Sequence, residues 1–196
     1  MARQFQVGRN SVREAIRQLE MLGVVEVLQG DGTFVRAPDP GRVIEPFRVL
    51  MGLSNPSTHQ VLEFRMALEP GIAALAAEKA TPAQVERLRE LLDRKVLMQL
   101  RNRPEAVLNT DLDFHLGLAV AANNPLIHDV VVGLLGLLRD FRLSLVRQAY
   151  FADELTAAEQ RVLDAVAAHR PAEAAQAMQD HMARLAPFLQ DGSTGP

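Results

Sequence analysis

The sequence predicts a mainly α protein in two parts: an N-terminal winged helix–turn–helix, incomplete at its start, then an all-α helical-bundle effector domain. Three observations lead there. A short amphipathic stretch from Ser11 to Leu22 is followed at once by two β-branched runs around a glycine-bearing turn. From Thr58 onward apolar residues recur at helical spacing with little strand-like alternation. Pro56, Pro82, Pro104, Pro125 and Pro171 stand near the starts of these helical runs, where a missing N–H is least costly.

Composition narrows the function. The chain of 196 residues is 48% hydrophobic and 23% charged, an ordinary globular balance. A formal charge of −3 supplies no chain-wide positive field, so any nucleic-acid contact has to be local. The absence of cysteine excludes disulfides and thiolate metal sites and suits a cytoplasmic location. No apolar run of about 18 residues and no basic-then-apolar leader is present, so neither a membrane span nor a secretory signal is expected. Aromatic residues amount to 5% with no tryptophan, which argues against stacking platforms for single strands.

In chain order, Met1 to Phe5 reads as the end of a helix whose beginning is not there. Ser11 and Glu14 have the spacing of a capping box, which predicts a helix starting at Ser11. Val12, Ile16 and Leu19 then form its buried stripe, and Arg13 and Arg17 fall on another face, with Arg9 and Asn10 just ahead. Arg and Asn around the first turn of a short helix suit the major groove of a duplex. Taken alone, the same stretch also suits a solvated surface helix. Gly23 is a natural helix stop. Val24–Leu28 and Thr33–Arg36 read as strands joined by Gln29-Gly30-Asp31-Gly32, and helix followed by hairpin is the order of a winged helix. Residues 1–38 hold five arginines against four acids, so the reading rests on placement rather than on total charge.

Residues 2–36 resemble the winged helix–turn–helix of GntR-family bacterial transcription regulators. The resemblance is carried by Val7-Gly8-Arg9, Val12-Arg13-Glu14-Ala15-Ile16, Leu19 to Gly23, and Gly30-Asp31-Gly32-Thr33-Phe34-Val35. It implies a homodimer on double-stranded operator DNA, with Arg9, Asn10, Ser11 and Arg13 at the duplex and the wing tip, Gln29 and Gly30, against groove or backbone. Gly8 stands where the family usually has Ser or Thr, and the upstream part of the family domain is missing.

Residues 39–57 read as a linker, with a short helix over Glu45–Leu53, and residues 190–196 as a disordered tail. Between them the helical domain occupies 58–189, with helices near 58–79, 82–100, 104–122, 125–151, 154–169 and 171–189. Pro70 is expected to kink or break the first of these.

Polar residues on apolar faces mark the chemistry. Asp111 and His115 share a helix face with Phe114, Leu118 and Ala121 nearby. A buried Asp–His hydrogen bond explains that pair as readily as a ligand role does. His181 lies among Ala177, Met178 and Leu185. Glu159 and His181 are each 11 residues from position 170, so two antiparallel helices would bring them to one height. Two carboxylates and two imidazoles suit zinc, nickel, manganese or iron(II). Arg65 is either half of an exposed ion pair with Glu69, worth ~0.3–0.5 kcal/mol, or a cavity-facing fork for a carboxylate. His59, His128 and His169 have ordinary surface or helix-end readings.

Residues 58–189 resemble the FCD effector domain of the FadR subfamily. The matching stretches are Glu63-x-Arg65-x-x-Leu68-Glu69, Leu75-Ala76-Ala77, Asp111-x-x-Phe114-His115, Asn123-Asn124-Pro125 and Met178-x-x-His181. The resemblance implies a divalent metal (zinc, nickel or manganese) on Asp111, His115 and His181, with Glu159 where metal-binding members have a further His. It also implies a small organic-acid effector gripped by Arg65, and no catalytic residues. The expected function is therefore a DNA-binding transcriptional regulator, expected to be a repressor, that responds to a small carboxylate effector bound in a metal-containing helical domain. The alternatives are a metal-dependent enzyme with Glu159 as general base, or a truncated regulator that does not bind DNA.

Overall fold

The computed structural model of the protein describes residues 2, 4–37, 57–132 and 153–185. It divides into two units, with the boundary between Leu50 and Met51. Each is taken by itself.

In the first unit, Val7 N–H donates to Ala2 C=O at 3.1 Å and Gln6 is left-handed, which is the closure of a helix C-terminus. Helix α1 spans Arg9–Met21. Its N-cap is Gly8, without a side-chain cap, so the predicted Ser11–Glu14 capping box does not form. Helical geometry extends back to Arg9, which puts Ser11 inside the first turn and leaves Glu14 3.9 Å from Arg17. At the other end, Gly23 N–H donates to Glu20 C=O and Val24 N–H to Leu19 C=O, a Schellman closure with Gly23 at φ +73°.

Strands β1 (Val25–Leu28) and β2 (Gly32–Val35) pair antiparallel, Val25 opposite Val35 and Leu28 opposite Gly32. The tip is thus three residues, Gln29 to Asp31, one shorter than predicted, because Gly32 joins the ladder. Arg36 lies diagonal to Glu26 and closes the open end of the hairpin with an ion pair. Within this unit Val25 is buried, Val12 and Ile16 are half-buried, and Leu19, Met21 and Leu22 remain exposed. The predicted stripe of α1 is therefore only partly covered.

The second unit is a helical bundle: α2 (Thr58–Lys79), α3 (Pro82–Leu100), α4 (Pro104–Ala121), α5 (residues 125–132), α6 (Asp153–Ala167) and α7 (Pro171–Ala183). Capping boxes open α2 (Ser57 with Gln60) and α3 (Thr81 with Gln84). Prolines take the first position of α3, α4 and α7. Helices α3 and α6 end on Schellman turns with Asn102 and His169 in the left-handed C′ position. His169 also donates from Nδ1 to the Ala77 carbonyl at 2.8 Å, tying the α6–α7 corner to α2. The linker helix over 45–53, the later part of the 125–151 span and the tail lie outside the described residues.

Contrary to expectation, α2 runs unbroken through Pro70. The proline removes one backbone hydrogen bond, but α2 packs against α4, α6 and α7, so tertiary contacts hold it in line on both sides of the defect. Helix α4 lies at the centre of the bundle, with Val107, Leu108, Phe114, Leu118, Ala119 and Ala121 all buried. At Gly117 it approaches α3 so closely that a Cβ there would stand 2.8 Å from Leu88 Cδ2. Among the described residues no helix is long and apolar enough to cross a membrane.

Thr81 anchors the start of α3. Thr81→Ala is expected to cost ~1 kcal/mol in urea denaturation, and Thr81→Ser close to nothing, because only the former removes the acceptor for Gln84 N–H.

Candidate functional site

Five helices of the bundle each send a charged or polar side chain to one buried place. Helix α2 contributes Arg65 and Glu69, α3 Lys95, α4 Asp111 and His115, α6 Glu159 and α7 His181. Arg65, Lys95, Asp111, His115, Glu159 and His181 are all buried, and Glu69 is largely covered. Side chains of this kind are rarely left inside a protein unless they are paired.

The pairing is dense. Lys95 Nζ donates to Asp111 Oδ1 at 2.8 Å and to both oxygens of Glu159 at 2.6 Å. Arg65 is forked onto Glu69, Nε to Oε1 at 2.5 Å and Nη2 to Oε2 at 3.3 Å, and its Nη2 also lies 3.2 Å from His115 Nε2. Arginine has no lone pair, so His115 Nε2 is the acceptor there and the ring proton belongs on Nδ1. That Nδ1 stands 2.5 Å from Glu69 Oε2, a close polar contact without the alignment of a hydrogen bond. The His115 and His181 rings are 5.5 Å apart between centroids. His181 Nδ1 is buried and has no hydrogen-bond partner among the described residues.

The electrostatics follow from burial set against these neighbours. Burial and the neighbouring Asp111 push the Glu159 carboxyl up, and the Lys95 ammonium against both of its oxygens pulls the other way, favouring the charged form. Burial alone would lower Lys95, but Asp111 and Glu159 outweigh it and hold the ammonium charged. Burial would likewise raise Glu69, yet Arg65 and His115 keep it well below the usual carboxylate range. Burial lowers His115 despite Glu69, and it lowers His181 further, with His115 adding to the effect. Both imidazoles are therefore held neutral.

Asp111, His115, Glu159 and His181 present ligand atoms within 4.8 Å of one another, and this set could hold a metal ion. In kind, two imidazoles and two carboxylates fit zinc, nickel or manganese. In arrangement two features stand against a small tetrahedral ion. Donors around a tetrahedral ion stand about 3.4 Å apart, whereas Asp111 Oδ2 to His115 Nε2 is 3.9 Å and Glu159 Oε1 to His181 Nε2 is 3.8 Å. Moreover, both carboxylates are already bonded to the Lys95 ammonium.

The structure thus brings together Asp111, His115, Glu159 and His181, and sets Arg65 beside His115. Arg65 is not the exposed half of a surface pair, since its side chain is 6% exposed and its fork is engaged by Glu69. Sequence reasoning missed Lys95. A signal was present: Leu88, Leu91, Leu92 and Lys95 follow the spacing of one buried helical stripe, with a lysine where an apolar residue belongs. In the first unit, Arg9, Asn10, Ser11 and Arg13 are exposed on the N-terminal part of α1, and Gln29 and Gly30 are exposed at the hairpin tip.

A short helix and hairpin in one unit, and a helical bundle built around a buried charged cluster in the other, define a class. Residues 1–35 match the bacterial regulatory proteins of the gntR family and residues 60–184 match the FCD domain. The chain belongs to the GntR-family transcriptional regulators with an FCD-type effector domain, a family of DNA-binding regulators rather than enzymes. Among particular proteins, it is 34% identical over 194 residues to the HTH-type transcriptional regulator LutR of Bacillus subtilis, covering 96% of this chain and 88% of LutR. It is 31% identical over 183 residues to the HTH-type transcriptional repressor NanR of Escherichia coli K12, covering 91% of this chain and 69% of NanR. A solved GntR structure from Streptococcus agalactiae superposes with a TM-score of 0.67 at 25% identity, over 93% of this chain and 83% of that one.

The neutral state of His181 has a measurable consequence. Its proton affinity is lower in the fold than the ordinary 6.5, so its contribution to stability is present above that value and is lost as pH falls through it. In chelator-treated protein, His181→Gln is expected to lose less unfolding free energy than the parent between about pH 7 and pH 5, read by urea titration at each pH. A second expectation concerns the buried ammonium. Lys95→Ala leaves two buried carboxylates facing each other and is expected to cost ~3–5 kcal/mol in the same assay at neutral pH.

Proposed function

We propose that this chain is a repressor that binds operator DNA as a homodimer in the cytoplasm and is released by a small organic acid bound in its helical unit. The observation that carries the proposal is the pairing, in one chain, of an exposed Arg9-Asn10-x-x-Arg13 helix start and hairpin with a buried charged cluster far richer than a bundle core requires.

In this reading α1 presents Arg9, Asn10, Ser11 and Arg13 to the major groove, where arginine forks suit guanine edges and phosphates. The hairpin tip, Gln29 and Gly30, approaches the neighbouring groove or backbone. The effector carboxylate exchanges with Glu69 for the Arg65 guanidinium, whose fork matches a carboxylate in two hydrogen bonds. His181 Nδ1 offers a further polar contact. Family membership in a group that includes a repressor by name supports the sign of regulation. The effector acts by binding one dimer arrangement better than another, since equal affinity for both would shift nothing. A zinc, nickel or manganese ion on Asp111, His115 and His181, with Glu159, would require Lys95 to release both carboxylates, and the effector reading does not depend on it.

The test is binding to the DNA upstream of the protein's own gene, by fluorescence anisotropy at several salt concentrations, with small organic acids such as lactate, pyruvate and citrate as probes. Arg13→Ala is expected to weaken specific binding by ~10-fold or more and to flatten the salt dependence. Arg65→Gln is expected to bind DNA as the parent does but to lose release by the active carboxylate. Selective binding that survives Arg13→Ala would overturn the assignment of α1 as the reading helix. Steady turnover of a probe acid would favour the metal-dependent enzyme instead.

A further inference from the structure

We propose that Lys95 is the built-in cation of the buried centre: its ammonium takes the charge-neutralising place of a divalent ion between Asp111 and Glu159 and thereby excludes the ion. The proposal concerns the cation alone and stands whether or not the effector is a carboxylate.

The geometry is specific. One Nζ lies 2.8 Å from Asp111 Oδ1 and 2.6 Å from both Glu159 oxygens, so a single ammonium engages the two carboxylates of the four-residue donor set. These carboxylates come from α4 and α6, and the lysine from α3, so the contact ties three helices at one point as a structural metal would. The lysine is held inside the bundle along its whole length. Its side chain is 1% exposed and its stem shares the buried stripe of Leu88, Leu91 and Leu92. An ion entering on Asp111 and Glu159 would have to displace the ammonium, or accept a second positive charge beside itself at low dielectric. The spacing of the remaining donors agrees. Asp111 to His115 and Glu159 to His181 are held at 3.9 and 3.8 Å, wider than the shell of a small four-coordinate ion but natural around an ammonium that bonds only the oxygens.

Glu159 acquires a purpose on this reading. A neutral imidazole in its place would give the ammonium one fewer anionic partner, whereas the carboxylate completes a second ion pair. Lysine on α3 and glutamate on α6 are then a matched set, 64 residues apart in sequence and bonded in the fold. The centre is organised by the chain itself and does not depend on metal supply.

The experiment compares the parent chain with Lys95→Met, which keeps the stem and removes the charge. Zinc and manganese are titrated by calorimetry into chelator-treated protein, bound metal is measured after gel filtration, and melting temperature is followed with and without each ion. The parent is expected to retain no stoichiometric metal and to melt at the same temperature in chelator as in zinc. Lys95→Met is expected to bind one ion at least 100-fold more tightly than the parent and to regain melting temperature when it does. A third variant, Lys95→Met with Glu159→Gln, should fold without the ion and bind it more weakly than Lys95→Met. One tightly held ion per parent chain, with melting temperature lost on chelation, would overturn the proposal. So would a folded Lys95→Met that binds metal no better than the parent. If Lys95→Met does not fold with or without metal, the parent's metal content and its response to chelator decide.

Discussion

Three helices of the bundle meet at the Lys95 ammonium, and the rest of the effector unit is arranged so that this contact can exist away from water. An isolated buried charge is costly, and a pair breaks even only with short, well-directed bonds. Here the bonds are 2.6 to 2.8 Å and involve two carboxylates on different helices. A second pair, Arg65 with Glu69, adjoins the first through His115, which bonds Arg65 and lies 3.9 Å from Asp111. The polar centre is thus a connected network, and the apolar core of Phe114, Leu118, Val162, Leu163, Met178 and Met182 surrounds it.

Such a network specifies alignment more sharply than apolar packing does. Leucines tolerate small shifts between helices, but an ammonium between two carboxylates loses its bonds within a fraction of an ångström. The helix ends supply the frame. Capping boxes fix where α2 and α3 begin, and Schellman turns fix where α3 and α6 stop, so the polar side chains arrive at one level. The price is paid locally, by non-glycine residues in left-handed geometry at Asn102 and His169. His169 recovers part of it through its bond to the Ala77 carbonyl.

A network of this kind is also a means of response. A ligand anion competing for Arg65 meets a guanidinium already committed to Glu69 and in contact with His115. Binding there rearranges partners rather than filling empty space. Any rearrangement is felt by α2 and α4, which hold Arg65, Glu69 and His115, and by the helices packed against them. Differential affinity for two arrangements is the physical requirement for regulation, and a shared set of hydrogen bonds with more than one way of being satisfied can meet it.

Local sequence by itself determined most of the helices. Proline near first positions and apolar periodicity located Thr58–Lys79, Pro82–Leu100 and Pro104–Ala121 to within a residue or two, because those signals act over a few turns of chain. The meeting of Glu159 with His181 was legible too, since equal distance from one sharp corner is a matter of counting. Other features were decided by tertiary structure. The Ser11–Glu14 spacing was a valid cap signal, but the helix continued back to Arg9. Pro70 was a valid break signal, but packing on three neighbours overrode it. Lys95 drew no reading from sequence; α4 and α6 give it meaning by placing two carboxylates against it. A side chain's own helix states which way it points; only the other helices supply what it meets there.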